Sequence, residues 1–222
     1  MIITIDGPAA AGKGTLSAHL AKTYKLAYFD TGMVYRAVGL QMVLTGENLE
    51  NKQQALKIAE NLTFPQMMEL SHHPDFRSDI GGRAASVVSA YPEVRQALLA
   101  MQKNFALNPI FADGTPANGV VYDGRDTGTV ICPNADLKLF ITASAEVRAE
   151  RRYKEYIAKG MDTTYEKVLE DVIARDERDS KRSAAPMKPA EDAVIVDTSY
   201  LSISDVINEI TPLVETRLNQ KK

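Results

Sequence analysis

The sequence predicts an α/β fold built on a central parallel sheet, and three observations carry that expectation. Short apolar, partly β-branched runs at 2–5, 28–29, 120–122, 137–141 and 194–196 alternate with longer stretches of helical periodicity. The first run opens directly onto a Gly- and Ala-rich loop that leads into one of those helical stretches. No apolar run approaches the ~18 residues of a membrane span, so the apolar content belongs to a folded core.

The five runs are the expected strands. Leu16, Leu20 and Tyr24 recur at helical spacing after the first, and a second helix over 33–44 stops at Thr45-Gly46. Val94, Leu98, Met101 and Phe105 line one stripe, as do Ile203, Val206, Ile207, Ile210 and Val214 near the C-terminus. Two regions fit the alternation poorly. Residues 45–82 are polar and irregular, with His72-His73-Pro74 read as a surface loop and Gly81-Gly82 at the end. Residues 151–189 are dense in charge and close on Ala184-Ala185-Pro186-Met187-Lys188-Pro189. Both are expected to be inserted, mobile pieces, and 108–118 an extended loop.

At 222 residues and 45% hydrophobic content, one domain with inserted subdomains is expected. The 26 Lys+Arg against 29 Asp+Glu leave a net charge of -3, too balanced to hold a nucleic-acid backbone by bulk electrostatics. Cys132 is the single cysteine, which excludes an intramolecular disulfide and a cysteine zinc cluster. The N-terminus lacks a basic region and reaches Asp6 quickly, so the chain is expected in the cytoplasm; a monomer without membrane or nucleic-acid partners is also expected.

The segment Gly7-Pro8-Ala9-Ala10-Ala11-Gly12-Lys13-Gly14-Thr15 has the Gly-x4-Gly-Lys spacing of a phosphate-binding loop in its required place between strand and helix. Successive backbone N–H groups and the positive end of the following helix form an anion site, and small residues let the main chain approach phosphate oxygens. Lys13 adds a mobile charge for the β- and γ-phosphates of a bound nucleotide. The hydroxyl usual after the lysine is replaced by Gly14 and arrives one place later, so Thr15 is the candidate for a direct or water-mediated Mg²⁺ contact, or simply a first-turn residue. Asp123 ends an apolar strand, where a carboxylate can act on hydrated Mg²⁺, although Asp-Gly is also a common turn.

Gly12-Lys13-Gly14-Thr15 resembles the nucleoside monophosphate kinases. Asp30-Thr31-Gly32-Met33-Val34-Tyr35-Arg36, Asp123-Gly124-Arg125-Asp126-Thr127-Gly128 and Arg175-Asp176-Glu177-Arg178-Asp179-Ser180-Lys181-Arg182 are similar to the corresponding segments of the bacterial cytidylate kinases over nearly the whole chain. The resemblance implies a P-loop three-layer fold with a core over about 1–36, 83–150 and 190–222, a nucleoside monophosphate-binding insertion over about 37–82 and a lid over about 151–189. It implies ATP as phosphoryl donor with Mg²⁺, and CMP and dCMP as acceptors. Lys13, Arg125, Arg178 and Arg182 would act on the group in transfer. Thr31, Arg36 and Arg182 would hold the acceptor monophosphate, Arg175 and Asp179 the ribose, and Ser86, Arg95 and Asp126 the base, with Arg125 also at the substrate.

Local chemistry agrees with parts of this. Thr31 can cap the helix that begins at Gly32 while Arg36 lies one turn beyond. Arg175, Arg178, Asp179 and Arg182 fall at i, i+3, i+4 and i+7, one helical stripe, which is also what a solvated face with i,i+4 ion pairs looks like. A monophosphate oxygen is already mostly ionised near pH 7, so no general base is demanded, and arginine forks suit phosphoryl oxygens. Residues 61–77 look shorter than the three-stranded insertion of longer bacterial members, and 108–118 longer than usual. A nucleotide-dependent switch is disfavoured by the absence of an Asn-Lys-x-Asp signature. A kinase for UMP or for a metabolite hydroxyl stays open, and the latter would use Asp30 or Asp126 as base.

Overall fold

The computed structural model describes residues 1–220; residues 221 and 222, which the expected core over 190–222 includes, lie outside the described residues. The chain runs β1 (Ile2–Asp6), α1 (Lys13–Tyr24), β2 (Ala27–Asp30), α2 (Gly32–Leu44), α3 (Lys52–Asn61), α4 (Phe64–Leu70), α5 (Asp79–Val88), α6 (Pro92–Leu107), β3 (Val120–Gly124), β4 (Leu137–Thr142), α7 (Ala145–Ala158), α8 (Tyr165–Lys181), β5 (Val194–Asp197) and α9 (Ile203–Asn219). All five expected strands are present, each within a residue or two of its expected bounds.

The sheet has the order β2-β3-β1-β4-β5. β1 pairs in parallel with both β3 and β4, and β4 with β5. The central strand therefore ends where the strand order reverses, and the loop that leaves it emerges at the switch point where ligands of open α/β sheets bind. Register places Asp6 opposite Gly124 on one side and Phe140 on the other, so β1 and β3 end at one level.

The chain divides into two compact units. One comprises Met1–Phe29, Pro109–Lys181 and the chain from Ala185 onward; the other comprises Asp30–Asn108 with Arg182–Ala184. The expected 37–82 insertion falls inside the second unit, and the expected lid divides between α7, α8 and the segment after them. In the first unit Ile3, Ile5, Leu139 and Ile141 of the sheet pack with Leu16 and Leu20 of α1 and Val206, Ile210 and Val214 of α9. A smaller cluster of Ala149, Val168 and Val172 joins α7 to α8.

Residues 45–82, expected to be irregular, are largely helical, and no strand forms there among the described residues. Their helices are short and begin at side-chain caps. Asn51 accepts from the Gln54 N–H, and Thr63 and Gln66 form a reciprocal capping box. Buried Ala55, Ala59 and Met67 supply the apolar faces that hold these helices. The stripe expected to reach Arg182 also needs correction: α8 ends at Lys181, so Arg182 lies just outside the helix. Its departure is fixed by the Met187 N–H, which donates to the Asp179 carbonyl, with Ala185 left-handed at φ 49° before Pro186.

Candidate active site

The phosphate loop is held in shape by its flanks. Gly7 sits at φ 139°, and a Cβ there would lie 1.9 Å from the Ile141 carbonyl oxygen, so only glycine lets the loop leave β1 beside β4. α1 then begins without a side-chain cap at Gly12 and without an acid in its first turn. Its N-terminal N–H groups remain available to an anion, unlike those of α3, α4, α5, α7 and α9, which are capped by their own side chains.

Lys13 is buried at 5% exposure. Its Nζ donates to the Pro8 carbonyl at 2.7 Å and lies 3.9 Å from Asp123 Oδ1 at the end of β3. Burial, with the nearby Arg125 and Arg175 adding to it and Asp123 and Asp6 opposing, pushes the ammonium down to about 7. Asp123 also accepts from the Tyr28 hydroxyl at 3.4 Å, and a Cβ on Gly14 would lie 3.5 Å from its Oδ2. Thr15 instead borders a cleft of about 230 Å³ lined by Gly12, Leu16, Arg151, Thr198 and Leu201. Arg151 forms one wall of that cleft, held by bonds to the Thr198 carbonyl and hydroxyl.

Beyond β3 the chain turns through Arg125 and Asp126 into a π-type turn, Thr127–Ile131. Asp6 fixes it: the buried carboxylate accepts from the Thr127 N–H and hydroxyl and from the Gly128 N–H, each at 2.8 Å. Burial raises Asp6 above the usual carboxylate range, against those hydrogen bonds. Arg125 donates from Nε to Asp179 Oδ2 at 3.0 Å, and the Arg175 Nε lies 4.0 Å from the same oxygen. A carboxylate on α8 is thus held between two guanidinium groups. Arg178 is exposed, and its side chain makes no hydrogen bond or ion pair with any described residue. On α7, Arg148 donates to the carbonyls of Ala143 and Ala9 and forks onto both carboxylate oxygens of Asp176.

The second unit gathers a different set. Its helices α2 and α5 touch so closely at Gly39 that a Cβ there would lie 2.7 Å from the Ala84 main chain. That contact brings Arg36 beside α5, where its guanidinium donates to the Phe76 carbonyl at 2.8 Å and lies near Gly82. Ser86, on the same helix α5, is buried, and its hydroxyl has no hydrogen-bond partner among the described residues. Arg95 is buried as well, donating to the Ser89 carbonyl with its guanidinium 5.1 Å from the Tyr35 ring centre. Thr31 is buried but makes no capping bond; Asp30 Oδ1 takes the Gly32 N–H instead, because a one-residue-earlier carboxylate reaches the first open N–H of α2.

The family described as Cytidylate kinase matches residues 3–216. Curated cytidylate kinases of Rhodopseudomonas palustris and Xanthobacter autotrophicus are 47% and 48% identical to this chain, over 97% of it and 96% of the former and 98% of each for the latter. The chain belongs to the cytidylate kinase family. It is accordingly a nucleoside monophosphate kinase. A solved structure of an uncharacterized protein from Eubacterium ventriosum is similar in fold, with a TM-score of 0.53 at 11% identity over 97% of this chain and 98% of that one.

For a cytidylate kinase the arrangement separates cleanly by unit. Gly7 to Thr15, Asp123, Arg125, Asp126, Arg175, Arg178 and Asp179 belong to the first, and Thr31, Arg36, Ser86, Arg95 and Arg182 to the second. Sequence reasoning missed Asp6, Arg148 and Asp176 and the cleft beside Thr15. The partners of Asp6 and Arg148 in the loop and turn lie 121, 122 and 139 residues away in the chain, and no local spacing signals them. No group of three or more His, Cys, Asp or Glu able to cage a metal exists among the described residues. A single carboxylate beside a phosphate loop fits Mg²⁺, which keeps several waters and takes its remaining ligands from substrate phosphates.

Proposed function

We propose that this chain transfers the γ-phosphoryl group of ATP to CMP and dCMP, giving ADP and CDP or dCDP. The observation that carries the reading is the buried Lys13, set between the Pro8 carbonyl and Asp123 at the uncapped start of α1. Loop amides of residues 7–15 receive the donor phosphates, and the adenosine moiety occupies the cleft between Arg151, Thr198 and Leu201, with Thr15 at its phosphate end. Asp123, and Thr15 through water, would hold Mg²⁺, which supplies neutralisation of the β- and γ-phosphate charge when bound.

The acceptor needs no deprotonation, so the chain's task is to overcome the repulsion of two anions and align them. Thr31, Arg36 and Arg182 take the acceptor phosphate, Arg175 and Asp179 the ribose, and Lys13, Arg125, Arg178 and Arg182 the group in flight, with Arg125 also at the substrate. Cytosine presents an N4 amino donor beside ring acceptors. Asp126 answers the first, while Ser86 and Arg95 answer the second. Residues 37–82 serve as the monophosphate-binding piece and 151–189 as the lid. Among the described residues no helix is long and apolar enough to cross a membrane, and we place the enzyme in the cytoplasm as a monomer acting on small nucleotides.

An ADP-release assay across CMP, dCMP, UMP, AMP and GMP tests the reading. Turnover of CMP and dCMP at least about a hundredfold above AMP and GMP is expected; equal turnover of all five, or none, overturns it.

A further inference from the structure

Helix α8 is pinned at two points three residues apart. Asp179 engages Arg125 at the end of β3, and Asp176 engages Arg148, whose guanidinium also donates to the Ala9 carbonyl within the phosphate loop. Arg148 has 5% side-chain exposure, so its charge is removed from water and depends on Asp176 for compensation. Its Nε donates to the Ala143 carbonyl just after β4. One buried fork therefore ties together the strand end, the loop that bears Lys13 and the helix that bears Arg175 and Arg178.

The geometry is selective. A shift of α8 by one residue means about 1.5 Å along its axis and about 100° around it. Such a shift carries Asp176 away from Arg148 and Asp179 away from Arg125 together. On the loop side, neighbouring carbonyls are held by two different cations: Pro8 by Lys13 and Ala9 by Arg148. Between them and Gly12 stands Ala10, left-handed at φ 61°, a conformation a non-glycine residue keeps only when its surroundings impose it. Lys13 must exchange Pro8 for phosphate when a donor arrives, whereas Arg148 touches only protein and can stay.

We propose that Arg148 and Asp176 form a positioning clamp that sets the register of α8 against the phosphate loop, and with it the placement of Arg178 for transfer and of Arg175 at the acceptor. The proposal rests on the reading that the donor sits on this loop. Neither residue touches the reacting atoms. A misplacement of about 1 Å in such a constellation costs up to about a hundredfold in rate, so the clamp should register in kcat, and in KM for CMP through Arg175 and Asp179 on the same helix.

The test measures kcat, KM for CMP and the folded fraction for Arg148→Lys, Asp176→Asn and the double variant, with amide hydrogen exchange over the loop and α8. Each single variant is expected to lose about tenfold or more in kcat per folded molecule and to raise KM for CMP, because Arg175 and Asp179 ride on the same helix. The double variant should be no worse than the poorer single, because the two residues act as one device. Exchange at residues 9–12 should quicken in Asp176→Asn although the change lies on α8. The proposal fails if kcat per folded molecule stays within twofold of the parent, if the two losses multiply, or if loop exchange in Asp176→Asn is unaltered. Should Arg148→Lys not fold, Asp176→Asn decides alone by kcat and exchange. A parent chain that does not phosphorylate CMP overturns the functional reading instead, and the exchange result then judges the clamp by itself.

Discussion

The ammonium of Lys13 donates to the carbonyl oxygen of Pro8, five residues earlier in its own loop, at 2.7 Å. The phosphate-seeking cation is turned onto the cradle that holds it, and burial pushes it down to about 7. A triphosphate supplies the negative charge that restores the ammonium. At pH 8 the binding of a non-hydrolysable ATP analogue should therefore draw in nearly one proton per site. Calorimetry in two buffers of different ionisation enthalpy checks this, and identical apparent enthalpies would contradict it.

The same shift makes the free protein pay for its function in stability. Between about 7 and the ordinary lysine value of 10.5, the unfolded chain binds a proton at Lys13 that the folded chain does not, so this residue's contribution to stability rises with pH across that window. Its full cost is present below about 7. Lys13→Met should raise the melting temperature of the free enzyme, by more at pH 6 than at pH 9.5, while removing at least about a hundredfold of turnover. Thermal melts at the two pH values check the sign; a smaller gain at pH 6 would show that Lys13 is not a buried, destabilised cation.

How much of this was legible in the letters depended on range. The five strands and the phosphate loop rest on contiguous residue types and fixed spacing, and they stand where the sequence predicts them. The helices within 45–82 were obscured by polar composition, although Asn51 and the Thr63-x-x-Gln66 box announced two of their starts. Extending the α8 stripe to Arg182 failed because periodicity says nothing about where a helix stops; Pro186 was the available warning. Asp6 acts through partners 121 and 122 residues away, and Arg148 reaches the Ala9 carbonyl 139 residues away, contacts that only the assembled sheet creates.

Ser86 offers a separation of stability from binding. Its hydroxyl is buried and finds no acceptor or donor among the described residues, so folding bears a desolvation cost that a substrate hydrogen bond would offset. Ser86→Ala should leave the melting temperature unchanged or slightly higher. KM for CMP should rise about fivefold, the equivalent of one hydrogen bond of ~1 kcal/mol, with KM for ATP unaffected. Loss of stability without a change in KM for CMP would assign Ser86 to the core instead.

Gly39 tests whether the acceptor set depends on the packing of α2 against α5. A Cβ at this position would meet the Ala84 main chain at 2.7 Å, and backbone cannot swing aside as a side-chain tip can. Gly39→Ala must part the two helices, at a cost of about 1–3 kcal/mol for an overpacked interior. Arg36 is anchored to the Phe76 carbonyl and Ser86 rides on α5, so parting the helices moves two of the proposed CMP contacts at once. KM for CMP should increase at least about tenfold while KM for ATP, governed by the phosphate loop, changes less than twofold. Equal increases in both constants would mean that the helix pair supports the enzyme as a whole and not the acceptor contacts in particular.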